Sequence, residues 1–429
     1  MSLFGAMFSS VSGLTAQSQA LGTVSDNIAN AETVGYKSVG NSFSTLVADP
    51  MSATNYTPGG VISHPFQTVT AQGLIQGSST PTNLAISGSG FFVVSATATP
   101  STTAPDLFTR AGDFAPDAKG NLVNSAGFFL QGYPTDANGN VTNPSFTTTA
   151  GLQTININGL SGTAAATQNL SLNANLPATA ATGTNETVTA QVYDSLGVAH
   201  NLVIEFTKTA TANQWTMSIP SMTVAATGAS SAASVSIVPA ADATVTFNTD
   251  GTFASPTGAT IQVTGFTTGA ANDTINLNLG TAGQANGLTQ YASSFQLGAG
   301  GIQQDGRTFG SLTSVSIGKD GLVTATFSNG QTRPFAKVPL ATFTNPDGLL
   351  AQTGNVYSAT ANSGPLLLQY AQTGNAGLID SGSLEQSTVD LAAQFSTMIV
   401  TQQAYSASAK VFNTADQMMQ VLNNIGGQA

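Results

Sequence analysis

Cysteine is absent from this 429-residue chain, which excludes disulfides, thiolate metal ligands and cysteine nucleophiles together. Charge is nearly as scarce. Asp, Glu, Lys and Arg make up 7% of the residues, against a usual share of about a quarter. Nine residues are basic, scattered along a chain of net charge -11, so the electrostatic footprint of a nucleic-acid or anionic-membrane partner is missing. The two histidines, His64 and His200, stand apart from any candidate nucleophile and no G-x-S-x-G occurs, so a Ser-His-Asp arrangement has little to draw on. Glu32, Glu186, Glu205 and Glu385 are too dispersed to nominate a catalytic carboxylate pair. These absences predict a protein that is not an enzyme and carries no cofactor or metal. No run of eighteen apolar residues exists, because Ser9, Ser10, Ser12, Gln17 and Gln19 interrupt the first candidate, and insertion into a membrane is not expected. The first basic residue is Lys37, which argues against a secretory leader and toward a dedicated export machine.

What is present is Gly, Ala, Ser, Thr and Asn in strand-like segments, with 22 Phe and steady Val and Ile to build cores. The length suits two or three domains. At each end lies an amphipathic helix with almost no charge. Phe4, Met7, Val11, Leu14, Leu21 and Ile28 mark one stripe, on a helix predicted from Leu3 to Asn30. Leu391, Phe395, Met398, Tyr405, Phe412, Met419 and Leu422 mark the other. Neither stripe can be buried by its own helix, so the spacing predicts that the ends pack together as a coiled-coil-like pair and offer a polymerisation surface.

Between the helices, alternating apolar and polar positions bounded by turn signals predict a multidomain, mainly β protein with two antiparallel β-domains, one inserted in the other. The expected organisation is an N-terminal helix over 1–35, an ordered connector over 36–80, a discontinuous β-domain over 81–145 plus 287–379, an inserted outer domain over 146–286, and a C-terminal helix over 380–429. Asp136-Ala-Asn138-Gly-Asn140 begins like a calcium loop but lacks the later bidentate Glu. With Asp117 to Gly120, Asp250-Gly251 and Asp320-Gly321, it reads as a hairpin turn. Gly88-Ser-Gly90 reads as a turn feeding a strand, since Val93 occupies the place of the third Gly in a dinucleotide loop.

Ser25-Asp-Asn27-Ile-Ala-Asn30-Ala-Glu-Thr33-Val-Gly35-Tyr36-Lys37 resembles the N-terminal signature of the bacterial flagellar rod and hook family. Leu384-Glu385-Gln-Ser387-Thr-Val-Asp390-Leu391, continuing through Met398-Ile399 and Gln402-Gln-Ala-Tyr405, resembles its C-terminal signature. Asn83 to Ile86, Gly90 to Phe92, Phe108 to Phe114, Gly120 to Val123 and Leu130 to Tyr133 look like its shared β-domain. Gln403 and Thr388 depart from the family, which often has Arg and Asn there. The large insertion, with Val192 to His200 inside it, resembles the hook members, whereas distal rod members lack one. The resemblance implies a homopolymeric, curved and flexible extracellular tube, attached to the basal body, that passes motor torque to the filament. It implies as partners a hook cap protein, the distal rod protein, a hook-filament junction protein, the type III export apparatus and a hook-length ruler. The alternatives are a distal rod subunit or, more remotely, a secreted β-rich adhesin.

Overall fold

The computed structural model describes residues 3–46, 59–99, 105–142, 144–158, 160, 162 and 164–426. They fall into two compact units, one comprising 1–160, 314–325 and 332–429, the other 161–313 and 326–331.

The first unit holds both helices, α1 (Leu3–Ala29) and α2 (Leu391–Gly426). Asn27 Nδ2 meets Gln394 Oε1 at 3.1 Å, and a Cβ added to Gly13 would lie 3.1 Å from Ser408 Oγ. Fourteen residues separate the contacts on either helix, so the helices run antiparallel and in step. Asp390 starts α2 by accepting from the N–H groups of Ala392 (2.9 Å) and Ala393 (3.1 Å), an N-cap. Asp390→Ala should destabilise the helix start by about 1 kcal/mol, read as faster amide exchange in its first turn. The stretch 380–390, expected to be helical, is not. Leu378–Ser381 pairs with Leu84–Ser87, and Ser383–Glu385 pairs with Ile75–Gly77. Gly382, at φ +65° between these strands, turns the chain where a helix would have to continue.

After α1, strands β1 (Val39–Leu46) and β2 (Gly60–Gln67) form an antiparallel ribbon. The main sheet interleaves early and late segments. Phe91–Ser95 pairs with Leu107–Thr109, Phe129–Pro134 and Pro339–Thr342, while Val356–Ser358 pairs with Leu107–Thr109. Its core includes Phe91, Val93, Phe108, Tyr133, Ala341, Tyr357 and Leu368, with Phe108 edge-on to Phe343 at 5.0 Å between centroids.

The second unit has two five-stranded sheets around Trp215, Phe206, Phe253, Leu170, Ile261 and Leu288. Ala199–Lys208 shows why: His200, Leu202, Ile204, Phe206 and Lys208 alternate inward with the two-residue period of a strand. Among the described residues the named strands pair antiparallel apart from a short parallel contact between Asn169–Ser171 and Asn276–Asn278, and an isolated bridge between Asn175 and Thr289 is also parallel. The unit's limits differ from the expected 146–286. Gln153–Thr154 joins the first unit's strand Phe129–Pro134, and Gln296–Gln304 pairs with Asn169–Asn175 in the second. Composition placed those limits, whereas register decides them.

Asp194 is wholly buried here. Its carboxylate meets His200 Nε2 at 2.9 Å and accepts from Thr268 Oγ1 (2.7 Å) and from the N–H groups of Leu196 and Val198 (both 2.9 Å). Burial pushes the carboxyl up, but these bonds outweigh it and hold it below the ordinary range. A depressed carboxylate contributes stability that is present above the ordinary aspartate value and lost as pH falls through the folded one. Denaturant midpoints followed by Trp215 fluorescence should therefore drop below about pH 4, and Asp194→Asn should flatten that dependence.

Candidate functional site: the terminal clasp and the helix faces

The two terminal signatures meet on one carboxylate. Lys37 Nζ lies 2.5 Å from Glu385 Oε1, and Arg110 Nη1 lies 3.1 Å from Oε2, with all three side chains buried. Two cations against one anion would leave a buried charge uncompensated, and carbonyl oxygens complete the site. Ala71 O accepts from Lys37 at 2.5 Å and Gly88 O from Arg110 Nη2 at 2.7 Å. Gly73 N–H donates to Glu385 Oε1 at 2.7 Å, and the Arg110 guanidinium stands 5.3 Å from the Phe91 ring centroid. Burial lowers the Lys37 and Arg110 pKa values, against the opposing pull of Glu385. Burial likewise pushes the nearby Tyr357 phenol well above its ordinary value. Gly88 (φ +104°) and Gly90 (φ +130°) form the turn feeding strand Phe91–Ser95, and that turn supplies the carbonyl to Arg110.

The remaining signature residues hold the approach to this clasp. Gly35, at φ +67°, donates its N–H to the Glu385 carbonyl at 2.7 Å, and a Cβ there would fall 2.7 Å from the Arg110 carbonyl carbon. Only glycine fits. Asn27 is buried on α1 and bonds Val39 twice, Nδ2 to its O (2.8 Å) and Oδ1 from its N–H (2.9 Å), as a strand partner would. Tyr36 donates to Asn27 Oδ1 at 3.3 Å, Asn30 caps the turn by donating to Asp26 O at 2.9 Å, and Leu384 pairs with Gln76. Thr388 accepts from Ser38 N–H at 2.9 Å, so its hydroxyl performs a join between the ends.

The helices bury a different face from the one their large residues mark. The residues of α1 withdrawn from solvent are Ser10, Ala16, Ala20, Val24 and Asn27, and on α2 they are Thr401 and Ala415. Of the predicted stripe, Met7, Leu14, Leu21, Ile28, Met398, Phe412 and Met419 are half-buried. Phe4 (68% exposed), Val11, Leu391, Phe395 (52%), Tyr405 and Leu422 (65%) face solvent. Phe8, Ile399, Val400, Val411, Met418 and Val421, outside the predicted stripe, do so as well. Small side chains supply little apolar area, whereas a Phe or Leu contributes roughly 1.5–3 kcal/mol on burial, so most of the helices' hydrophobic potential is unused within one subunit.

The acidic turns are occupied by their own backbone. Asp117 Oδ1 accepts from the N–H groups of Lys119 and Asn121, and Asp136 Oδ1 from those of Asn138 and Asn140. Hydrogen bonds from Asn121 and from Asn140, respectively, hold both carboxyls below their ordinary range. Among the described residues no group of three or more His, Asp or Glu side chains is placed to hold a metal.

Four family descriptions match the chain: Flagella basal body rod protein over 7–37, Flagellar hook protein FlgE/F/G D1 domain over 85–168, Flagellar basal body protein FlaE D2 domain over 165–307, and Flagellar basal body rod FlgEFG protein C-terminal over 380–425. The flagellar hook protein of Brucella abortus is 36% identical over 99% of this chain and 100% of its own length. The chain belongs to the flagellar hook protein family. The hook proteins of Rhizobium meliloti, 34% identical over 99% of this chain and 100% of theirs, and of Salmonella typhimurium, 32% over 97% and 98%, agree. A hook protein is a structural subunit, and this one folds as mainly β structure with paired terminal helices. Its place is in the flagellar appendage, and none of its described helices is long and apolar enough to cross a membrane.

Proposed function

We propose that the hook tube assembles through the outward apolar residues of the paired helices, with the small-residue seam joining the helices inside each subunit. The observation that carries this reading is the exposure of Phe4, Val11, Phe395 and Leu422 on helices whose buried residues are Ser10, Ala16, Ala20, Val24, Asn27, Thr401 and Ala415. Helices of neighbouring copies would cover these residues and line the channel. The expected partners are the hook cap at the growing tip, the distal rod below, the junction protein above, and the type III export apparatus and length ruler during export. The tube would stand outside the cell on the basal body. Low-charge Thr and Asn surfaces of the β-units would let contacts exchange as it bends, because few ion pairs must break. Electron microscopy of the full-length protein under salting-out conditions, which strengthen apolar burial, tests the reading. Curved tubes with an open lumen are expected. Straight rigid tubes would indicate a rod subunit, and monomers persisting even with added cap protein would overturn assembly through the helices.

A further inference from the structure

A cleft in the first unit lies outside the contacts of the clasp. Its volume is about 520 Å³, within the roughly 300–1,000 Å³ of clefts that hold ligands. Glu32 and Tyr36 reach it from the segment after α1, Asp113 and Asn124 from either side of the hairpin Ala115–Pro116 and Leu122–Val123, and Tyr357 from strand Val356–Ser358. All five belong to the first unit. No Lys or Arg lines the cleft, since Lys37 and Arg110 are buried and turned to Glu385 and to carbonyl groups. Glu32 is exposed and takes part in none of the ion pairs among the described residues. Two polar atoms of the lining residues are left over. Asp113 Oδ2 accepts from Ser125 N–H at 3.1 Å, whereas its Oδ1 is buried without a partner. Asn124, 4% exposed, accepts through Oδ1 from Phe128 N–H at 2.8 Å, which fixes its amide, and its Nδ2 has no partner. A buried polar group without a hydrogen bond carries its full desolvation cost, so both atoms stand to gain from an incoming group. They want opposite partners, a donor for the carboxylate and an acceptor for the amide.

We infer that this cleft receives a Lys- or Arg-bearing peptide segment of a separate protein, its cation held by Glu32 and Asp113 and a backbone carbonyl by Asn124. A guanidinium or ammonium answers the carboxylates with charge-assisted hydrogen bonds, and the Tyr36 ring is of the kind cations pack against. Water can serve either atom by itself but brings no charge. An anionic segment would meet two like charges with no cation beside them. Charge also selects the source. Copies of this chain, of net charge -11, repel one another, and of its nine basic residues Lys37, Arg110, Lys208 and Lys337 are already bonded within the subunit. A more basic partner fits better. The inference does not depend on polymerisation and is tested on the monomer.

The probe is acetyl-Gly-Arg-Gly-amide, titrated against the full-length monomer by ligand-observed NMR, with hydrogen exchange locating the site. Protection is expected in residues 30–36, 111–126 and 351–357. The same peptide with citrulline for arginine keeps the carbonyls and loses the charge, whereas butylguanidinium keeps the charge and loses the carbonyls. Each should bind about tenfold more weakly or worse, the loss expected for a hydrogen bond to a charged or buried group. Glu32→Gln combined with Asp113→Asn should weaken the arginine peptide by a similar factor and leave the unfolding transition unchanged, because the new amide oxygen can still accept from Ser125 N–H. An arginine peptide that does not bind, binds no better than its citrulline form, is unaffected by the double variant or protects other segments would overturn the cation site. Butylguanidinium binding as tightly as the peptide would overturn a peptide as its occupant. Sedimented tubes should bind the peptide as the monomer does, and tubes that have lost it would show that a second copy fills the cleft in place of a separate partner. A chain that forms no tubes would remove the polymer reading and leave the monomer result standing.

Discussion

Glu385→Ala is expected to destabilise the first unit by about 3–5 kcal/mol, because it leaves two buried cations, Lys37 and Arg110, facing no anion. The loss is larger than that of a surface ion pair for a specific reason. Water cannot reach the Lys37 ammonium or the Arg110 guanidinium to replace the lost carboxylate, and both already show the effect of desolvation. Glu385→Gln should be the milder change, since the amide oxygen can still accept from Gly73 N–H, now at 2.7 Å from the carboxylate, while the charge is gone. The damage should be local in its consequences. Gly35 and Ser38 join the C-terminal segment beside this site, so amide exchange should accelerate first in residues 27–39 and 383–394. Native hydrogen exchange with mass detection, together with denaturant unfolding, checks both parts. An Ala variant as stable as the wild type would show that the clasp is not a source of stability.

Phe395→Asp is expected to abolish tube formation while leaving the subunit folded. Phe395 is exposed in the subunit, so the substitution removes no contact from its core. In a tube it would be covered. The variant then loses the burial of a phenyl ring, roughly 1.5–3 kcal/mol, and places an unpaired carboxylate against apolar neighbours, a further cost of several kcal/mol. Every 1.4 kcal/mol is a factor of ten in an association constant, so a loss of about 4 kcal/mol raises the concentration needed for assembly on the order of a thousandfold. Leu14→Asp should act in the same direction with an added cost to the monomer, because Leu14 is already half-buried. Sedimentation across a concentration series gives the shift, and circular dichroism reports on the fold. Normal tubes from Phe395→Asp would remove α2 from the assembly surface.

The contrast between these substitutions shows how the terminal helices divide their labour. A 3-4 alternation of large apolar residues is ordinarily the buried face of a helix, and Phe4, Val11, Phe395 and Leu422 belong to such alternations. The subunit buries Ser10, Ala20, Val24, Thr401 and Ala415, and Gly13 packs against the Ser408 side chain. Periodicity identifies a helix and the face that seeks cover, but it does not say which molecule provides the cover. For a subunit of a polymer, that distinction is the functional one.

The clasp was half legible. Lys37 and Glu385 stand out as parts of the two signatures, yet nothing in their separate spacings pairs them across 348 residues. Arg110 lies outside both terminal signatures, although its setting offers a signal. It is one of nine basic residues and sits in the apolar stretch Leu107-Phe108-Thr109-Arg110-Ala111, where a cation needs a partner to be buried.

The sequence by itself determined the class of the protein: helices from their 3.6-residue periodicity, strands from their two-residue alternation, and turns from Asp-Gly and Gly-rich steps. These are local properties, written within a few residues of one another. Only the tertiary structure decided which helix face the subunit buries, where strands such as Gln296–Gln304 and Gln153–Thr154 pair, and that one glutamate ties both ends of the chain to the β-sheet. Those outcomes depend on register and on contacts between residues hundreds of positions apart, set by the simultaneous need to pair every buried backbone group and neutralise every buried charge. No local pattern encodes that requirement.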